Sequence, residues 1–176
     1  MSKATGKPAK DVWYKDGIQF ECQGSGQCCV SHGEYGFVYV TSADRKRMAK
    51  LRGIPTSEFT KKFCLKEEGL FRLKDGDPIP VSVPTSKAGA SPAAFKTELA
   101  KPCVFLEKKR CTIYSARPAQ CRTWPFWPET MSAKAWTKDV AKFCPGVGKG
   151  RVWSREEIDA LVKEQTAWES DVAHGL

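Results

Sequence analysis

Eight cysteines carry the strongest chemistry in this sequence of 176 residues, and seven of them fall into two groups. Cys22, Cys28 and Cys29 belong to the stretch Cys22-Gln-Gly-Ser-Gly-Gln-Cys28-Cys29. Cys103, Cys111, Cys121 and Cys144 are spread through a run of aromatics, arginines and prolines. Thiolates held together repel one another unless a cation neutralises them, so neighbouring cysteines in a reducing compartment point to zinc or an iron–sulfur cluster rather than to disulfides. The paired Cys-x-x-Cys knuckles of a zinc ribbon and the tight cysteine run of a bacterial ferredoxin are both missing, so spacing leaves the metal open. Vicinal and surplus thiols suit a cluster of several irons better than one tetrahedral ion. An iron–sulfur cluster is therefore the expectation, with at least four of the seven as ligands and zinc as the alternative. Cys64 follows Phe63 and stands alone, which reads as a small buried hydrophobe.

Other candidate groups surround these thiols. Arg117 and Arg122 flank Cys121, where they can offset the negative charge of a thiolate-bound cluster or hold an anionic substrate; the plainer reading is salt bridges to Glu107 or Asp139. His32, three residues after Cys29, is a borderline ligand read first as a surface group, and His174 is read as inert. Gly146-Val-Gly-Lys149 fails the phosphate-loop pattern at both ends, and Gly24-Ser-Gly26 lacks the strand and helix of a dinucleotide fingerprint. Trp124 and Trp127, in a proline-rich run, read as walls of the site ahead of a nucleic-acid stacking role. No catalytic residue stands out. With 29 Lys and Arg against 20 Asp and Glu, the net charge of +9 suits an acidic protein surface or an anionic cofactor as partner, while nucleic acid is disfavoured. No stretch is apolar for long enough to cross a bilayer, and a cytoplasmic location is expected.

The elements that must position these groups are short. Residues 1–11 read as a disordered basic tail, 12–150 as the cysteine domain, and 151–176 as a helix packed on it. The fold class expected is α+β, a small irregular domain with short β-hairpins and several helices organised around a cysteine-ligated metal site. Val12–Lys15 and Ile18–Glu21 suit a hairpin about Asp16-Gly17. Gly24 and Gly26 let the next loop bend Cys28 and Cys29 toward a common centre, although adjacent side chains of an extended chain point apart. Phe37–Val40 reads as a strand, and Thr41 with Asp44 caps a helix carrying Met48 and Leu51 inward. A second helix opens at Thr56 with Phe59 and Phe63 on one face. Leu70–Leu73 reads as a strand, and 82–100 as an insertion loop with a short helix near Ala93 to Leu99. Cys103 to Cys111 fits a hairpin turning at Glu107–Arg110, and Ser115 is placed to cap a short helix that ends at Cys121-Arg122. Ser154 and Glu157 form a capping box for the last helix, with Ile158, Leu161, Val162, Trp168 and Val172 on one face.

At these residues the chain resembles a known family. Phe20-Glu-Cys22 through Cys28-Cys29, then Cys103-Val-Phe-Leu, Cys111-Thr-Ile-Tyr, Arg117-Pro-Ala-Gln-Cys121-Arg and Cys144-Pro-Gly, follow in order the elements of the cysteine-cluster family of zinc- or iron-chelating domains, named for a Cys-x-x-Cys-x-x-Cys-Cys box. Val38 to Phe63 is similar to the family's intervening helical segment, and the likeness runs from Val12 to Gly150. Ser25 stands where the box has its second cysteine. A hydroxyl is a poor ligand for zinc or iron, and Cys64 is the one thiol left over to compensate. The resemblance implies metal or iron–sulfur binding, with a redox or protein-modifying role or a structural zinc module without catalysis. Flagellin lysine N-methylases contain a similar box, which raises lysine methylation as an activity, but no methyl-donor motif accompanies it here.

Overall fold

Thr41 opens the first long element because its hydroxyl accepts from Asp44 N–H while the Asp44 carboxylate takes the Thr41 N–H, a reciprocal capping box that starts α1 (Ser42–Arg52). Gly53 at φ +65° ends it. Met48 and Ala49 are buried, whereas Leu51 lies at the edge of that stripe and is 46% exposed, contrary to the sequence expectation. The α2 helix (Thr56–Phe63) buries Phe59 and Phe63. In the computed structural model, which describes residues 12–31, 37–84 and 95–175, the architecture is α+β: five helices and short antiparallel strand pairs among the described residues. The tail 1–11 and His32 lie outside the described residues.

The first strand, β1 (Ile18–Phe20), pairs with β9 (Val147–Trp153) near the other end of the chain. The hairpin expected about Asp16-Gly17 is thus replaced by a turn at 13–16 that feeds β1 onto a distant partner. The short β2 (Val30–Ser31) joins a three-stranded sheet in the order β2-β6-β5, with β5 at Ile79–Pro84 and β6 at Phe95–Pro102. The segment from Phe95 to Leu99 is therefore strand, not helix: pairing of Pro80 to Pro84 with Leu99 to Phe95 overrides its local composition. Between these elements β3 (Cys64–Glu67) and β4 (Leu70–Leu73) form a hairpin, and Val38 and Val40 add backbone bonds to its edge at Leu73 and Phe71.

The hairpin expected from Cys103 to Cys111 is present as β7 (Leu106–Glu107) and β8 (Arg110–Cys111), turning through Lys108 and Lys109 at φ +46° and +66°. A 3-10 turn at Tyr114–Ala116 precedes α3 (Ala119–Thr123), so Pro118, not Ser115, stands at its start. The brief α4 (Ala133–Ala135) runs into a π turn at Trp136–Val140. The last helix, α5 (Arg155–Ala173), begins at the expected Ser154–Glu157 box and lies on α3, where the Gln165 side chain accepts from the Thr123 hydroxyl at 2.6 Å.

Two apolar cores result. One gathers Val40, Met48, Phe59, Phe63, Leu73, Phe105 and Ile113; the other gathers Tyr14, Ile18, Phe20, Phe126, Trp136, Val140 and Ile158. No helix of the described residues is long and apolar enough to cross a membrane.

Candidate metal centre

Backbone pairing brings the two cysteine groups together. The β2–β6 register sets Val30 opposite Pro102, and one step further the Cys103 N–H donates to the Cys29 carbonyl at 2.7 Å. Gly26, at φ +73°, lets the loop carrying Cys28 lie against Leu106 and Lys109 of the β7–β8 hairpin, whose register puts Cys111 opposite Leu106. Cys121 rides on α3, and Cys144 ends the π turn with its N–H on the Val140 carbonyl. Cys22 follows β1, where the Glu21 N–H donates to the Gly146 carbonyl; a Cβ at Gly146 would lie 2.5 Å from the Glu21 carbonyl oxygen, so only glycine allows this approach.

Seven thiols thus line one cavity of about 990 Å³: Cys22, Cys28, Cys29, Cys103, Cys111, Cys121 and Cys144. Arg117 and Arg122 line it too, as do Trp124 and Trp127. All eight cysteines are free thiols. The sulfurs ring the cavity rather than converge on one point: among the described residues, no three His, Cys, Asp or Glu side chains are gathered tightly enough to hold an ion. The donor set nevertheless fits a thiophilic metal, being all sulfur and shared by one cavity. Cys64 lies elsewhere, buried in the first core beside Phe63. Ser25 lines the cavity with its hydroxyl 3.5 Å from Gln27 N.

Cys28 and Cys29 sit in a 3-10 turn that bends the chain enough to bring their sulfurs to 3.9 Å. The Cys29 thiol hydrogen-bonds to Cys28 and draws its pKa down to about 7, against the effect of burial and with help from the Arg117 charge. The same bond, followed by burial, raises Cys29. Burial pushes Cys103 up to about 11 and Cys121 well above the usual thiol value, and it also raises Cys111 and Cys144. Cys28 adds repulsion at Cys103, Cys111, Cys121 and Cys144, so these thiols sense one another electrostatically.

The two arginines have different surroundings. Arg122 pairs with Glu164 on α5 and stands 3.9 Å from Asp44. The Arg117 guanidinium lies 3.7 Å over the Tyr114 ring and donates to the carbonyls of Tyr114 and Cys121, with no carboxylate partner among the described residues. Sequence reading gave Tyr114 no role in the site, although its place three residues before Arg117 was a usable signal. It also took Asp44 for a helix cap alone. Asp44 is 2% exposed and further accepts from Trp168 Nε1 at 2.9 Å and from Ala119 N–H at 3.0 Å, thereby fixing the start of the helix that bears Cys121.

An α+β domain with a cavity walled by seven thiols has the makings of a chelating protein. The chain belongs to the CxxCxxCC family, described as "putative zinc- or iron-chelating domain", whose model matches residues 21–145. No solved structure matches it.

Proposed function

We propose that the cavity holds an iron–sulfur cluster, with ligands drawn from Cys22, Cys28, Cys29, Cys103, Cys111, Cys121 and Cys144, and that the protein serves a redox role. One observation carries the reading: seven thiols ring a single cavity of about 990 Å³ without converging on one point, which suits four ligands set around a body of several irons better than four held at about 2.3 Å from one zinc ion. When bound, such a cluster supplies one-electron transfer. The chain's own residues supply the thiolates; the Cys28–Cys29 pair shares a hydrogen bond that favours one thiolate between them, and the Arg117 charge beside Cys28 favours that ionised state. Trp124 and Trp127, with ring centroids 4.7 Å apart, add apolar surface to the cavity wall.

Zinc in a structural module is the second reading. It draws on the 3.9 Å Cys28–Cys29 separation, close to the edge of about 3.8 Å implied by a tetrahedron of 2.3 Å zinc–sulfur bonds. Purification without air followed by metal and sulfide analysis and an absorption spectrum decides between them. Iron with sulfide and a broad visible band is the expected result; colourless protein with stoichiometric zinc would sink the cluster.

A further inference from the structure

We propose that the same cavity also takes a small anionic molecule, a carboxylate or phosphate attached to a planar ring, held by Arg117 beside the thiols. The proposal rests on the reading of this cavity as the metal centre only for what lies next to the bound anion.

Size is the first argument. About 990 Å³ stands at the top of the range of roughly 300–1,000 Å³ typical of small-molecule sites, more than thiol ligation requires. Charge is the second. Of the basic residues lining the cavity, Arg122 is paired with Glu164 and Asp44, and Arg151 with both oxygens of Glu157. Arg117, Lys109 and Arg110 have no carboxylate partner among the described residues, and Glu21 is the one acidic residue on the lining. With the cavity thiols protonated this leaves a surplus of positive charge that an anion would balance, and ligating thiolates take up part of it.

Donor geometry is the third argument. Arg117 is held by the ring and hydroxyl of Tyr114 and by carbonyl bonds through Nε and one terminal nitrogen, with no carboxylate on it among the described residues. A guanidinium fixed in this way is prepared to grip an oxyanion at little entropic cost. Trp124, on the same lining, turns its buried Nε1 toward the Cys144 thiol, to which it hydrogen-bonds. The edge-to-face rings of Trp124 and Trp127 offer the planar part of the ligand a stacking surface.

Calorimetric titration of the protein purified without air with phenyl phosphate, benzoate and phenol tests this. Phenyl phosphate or benzoate should saturate a single site, the tighter of the two identifying the preferred anion, and phenol should bind far more weakly. Arg117→Gln should weaken the anion by about 10-fold to 100-fold. Arg117→Lys, which keeps the charge beside Cys28 but loses the planar fork, should bind the anion several-fold more weakly than the wild type. Absence of anion binding by the wild-type protein at millimolar concentration, or equal affinity in wild type and Arg117→Lys, overturns the proposal. Metal content and spectrum of the same samples separate the two readings. Anion binding through Arg117 in colourless protein sinks the cluster alone, and iron-loaded protein indifferent to both anions sinks this inference alone.

Discussion

Burial keeps protons on most of the cavity thiols, with Cys103 near 11 and Cys111, Cys121 and Cys144 raised, while Cys28 is drawn to about 7 by its neighbour Cys29. Metals bind thiolates, so each ligand protonated in the free protein gives up a proton on binding. The sign follows: affinity rises with pH, by about tenfold per unit for every proton released, as long as pH stays below the thiol pKa. Chelator competition between pH 6 and 8 should therefore show metal held more tightly at pH 8 by at least about a hundredfold, with the slope counting the ligating thiols that were protonated. Cys64 provides the contrast, being 6% exposed among Val40, Phe59 and Phe63 rather than on the cavity. Cys64→Ser should cost about 1–3 kcal/mol in urea unfolding by burying a hydroxyl, and leave metal content unchanged. Cys103→Ser should lower the metal content.

Asp44 ties three elements together. Its carboxylate caps α1, receives Ala119 N–H at the start of α3, and receives Trp168 Nε1 from α5. Asp44→Ala leaves these buried donors without an acceptor and should cost about 3–5 kcal/mol by chemical denaturation. Because α3 carries Cys121, the variant should also retain less metal. The β7–β8 hairpin tip holds Lys109 at φ +66°, a conformation glycine adopts without penalty. Lys109→Gly should raise stability by roughly 0.5–1 kcal/mol, read as an increase in Tm. The contrast between local and distant determinants also explains what could be read in advance. The boxes at Thr41 and Ser154 and the Phe59–Phe63 face were legible because all their determinants lie within four residues. The partner of β1 was not, because the Ile18–Trp153 pair spans most of the chain, and the β6 strand was not, because pairing with β5 outweighs the helical leaning of Ala, Lys, Glu and Leu. Cysteine grouping was legible from thiol chemistry, but the separate environments of Arg117 and Arg122 depend on Glu164 and Asp44, far away in sequence.

The thiol cavity lies where the two cores meet. Cys103, Cys111 and Cys121 pack on the core around Phe59 and Phe105, whereas Cys144 and Trp124 pack on the core around Phe126 and Trp136. A metal drawing ligands from both sides cross-links them, and binding to the folded state alone raises its stability by mass action. Stripping metal with a chelator should therefore lower Tm and separate unfolding into two transitions, measurable by calorimetry; one unshifted transition would show that the metal does not bridge the cores. The pairing of β1 with β9 bears on how the protein is made. Ile18 and Phe20 leave the ribosome early, but Val147 and Trp153 emerge some 130 residues later. At about 5–20 residues per second, the nascent chain carries Cys22 for several seconds or more before its docking strand exists, while Cys28 and Cys29 dock sooner, on β6 and the β7–β8 hairpin. Until their partners emerge these thiols are exposed to whatever oxidant or stray copper the surroundings hold, and a centre that draws on Cys144 is complete only once that residue has followed.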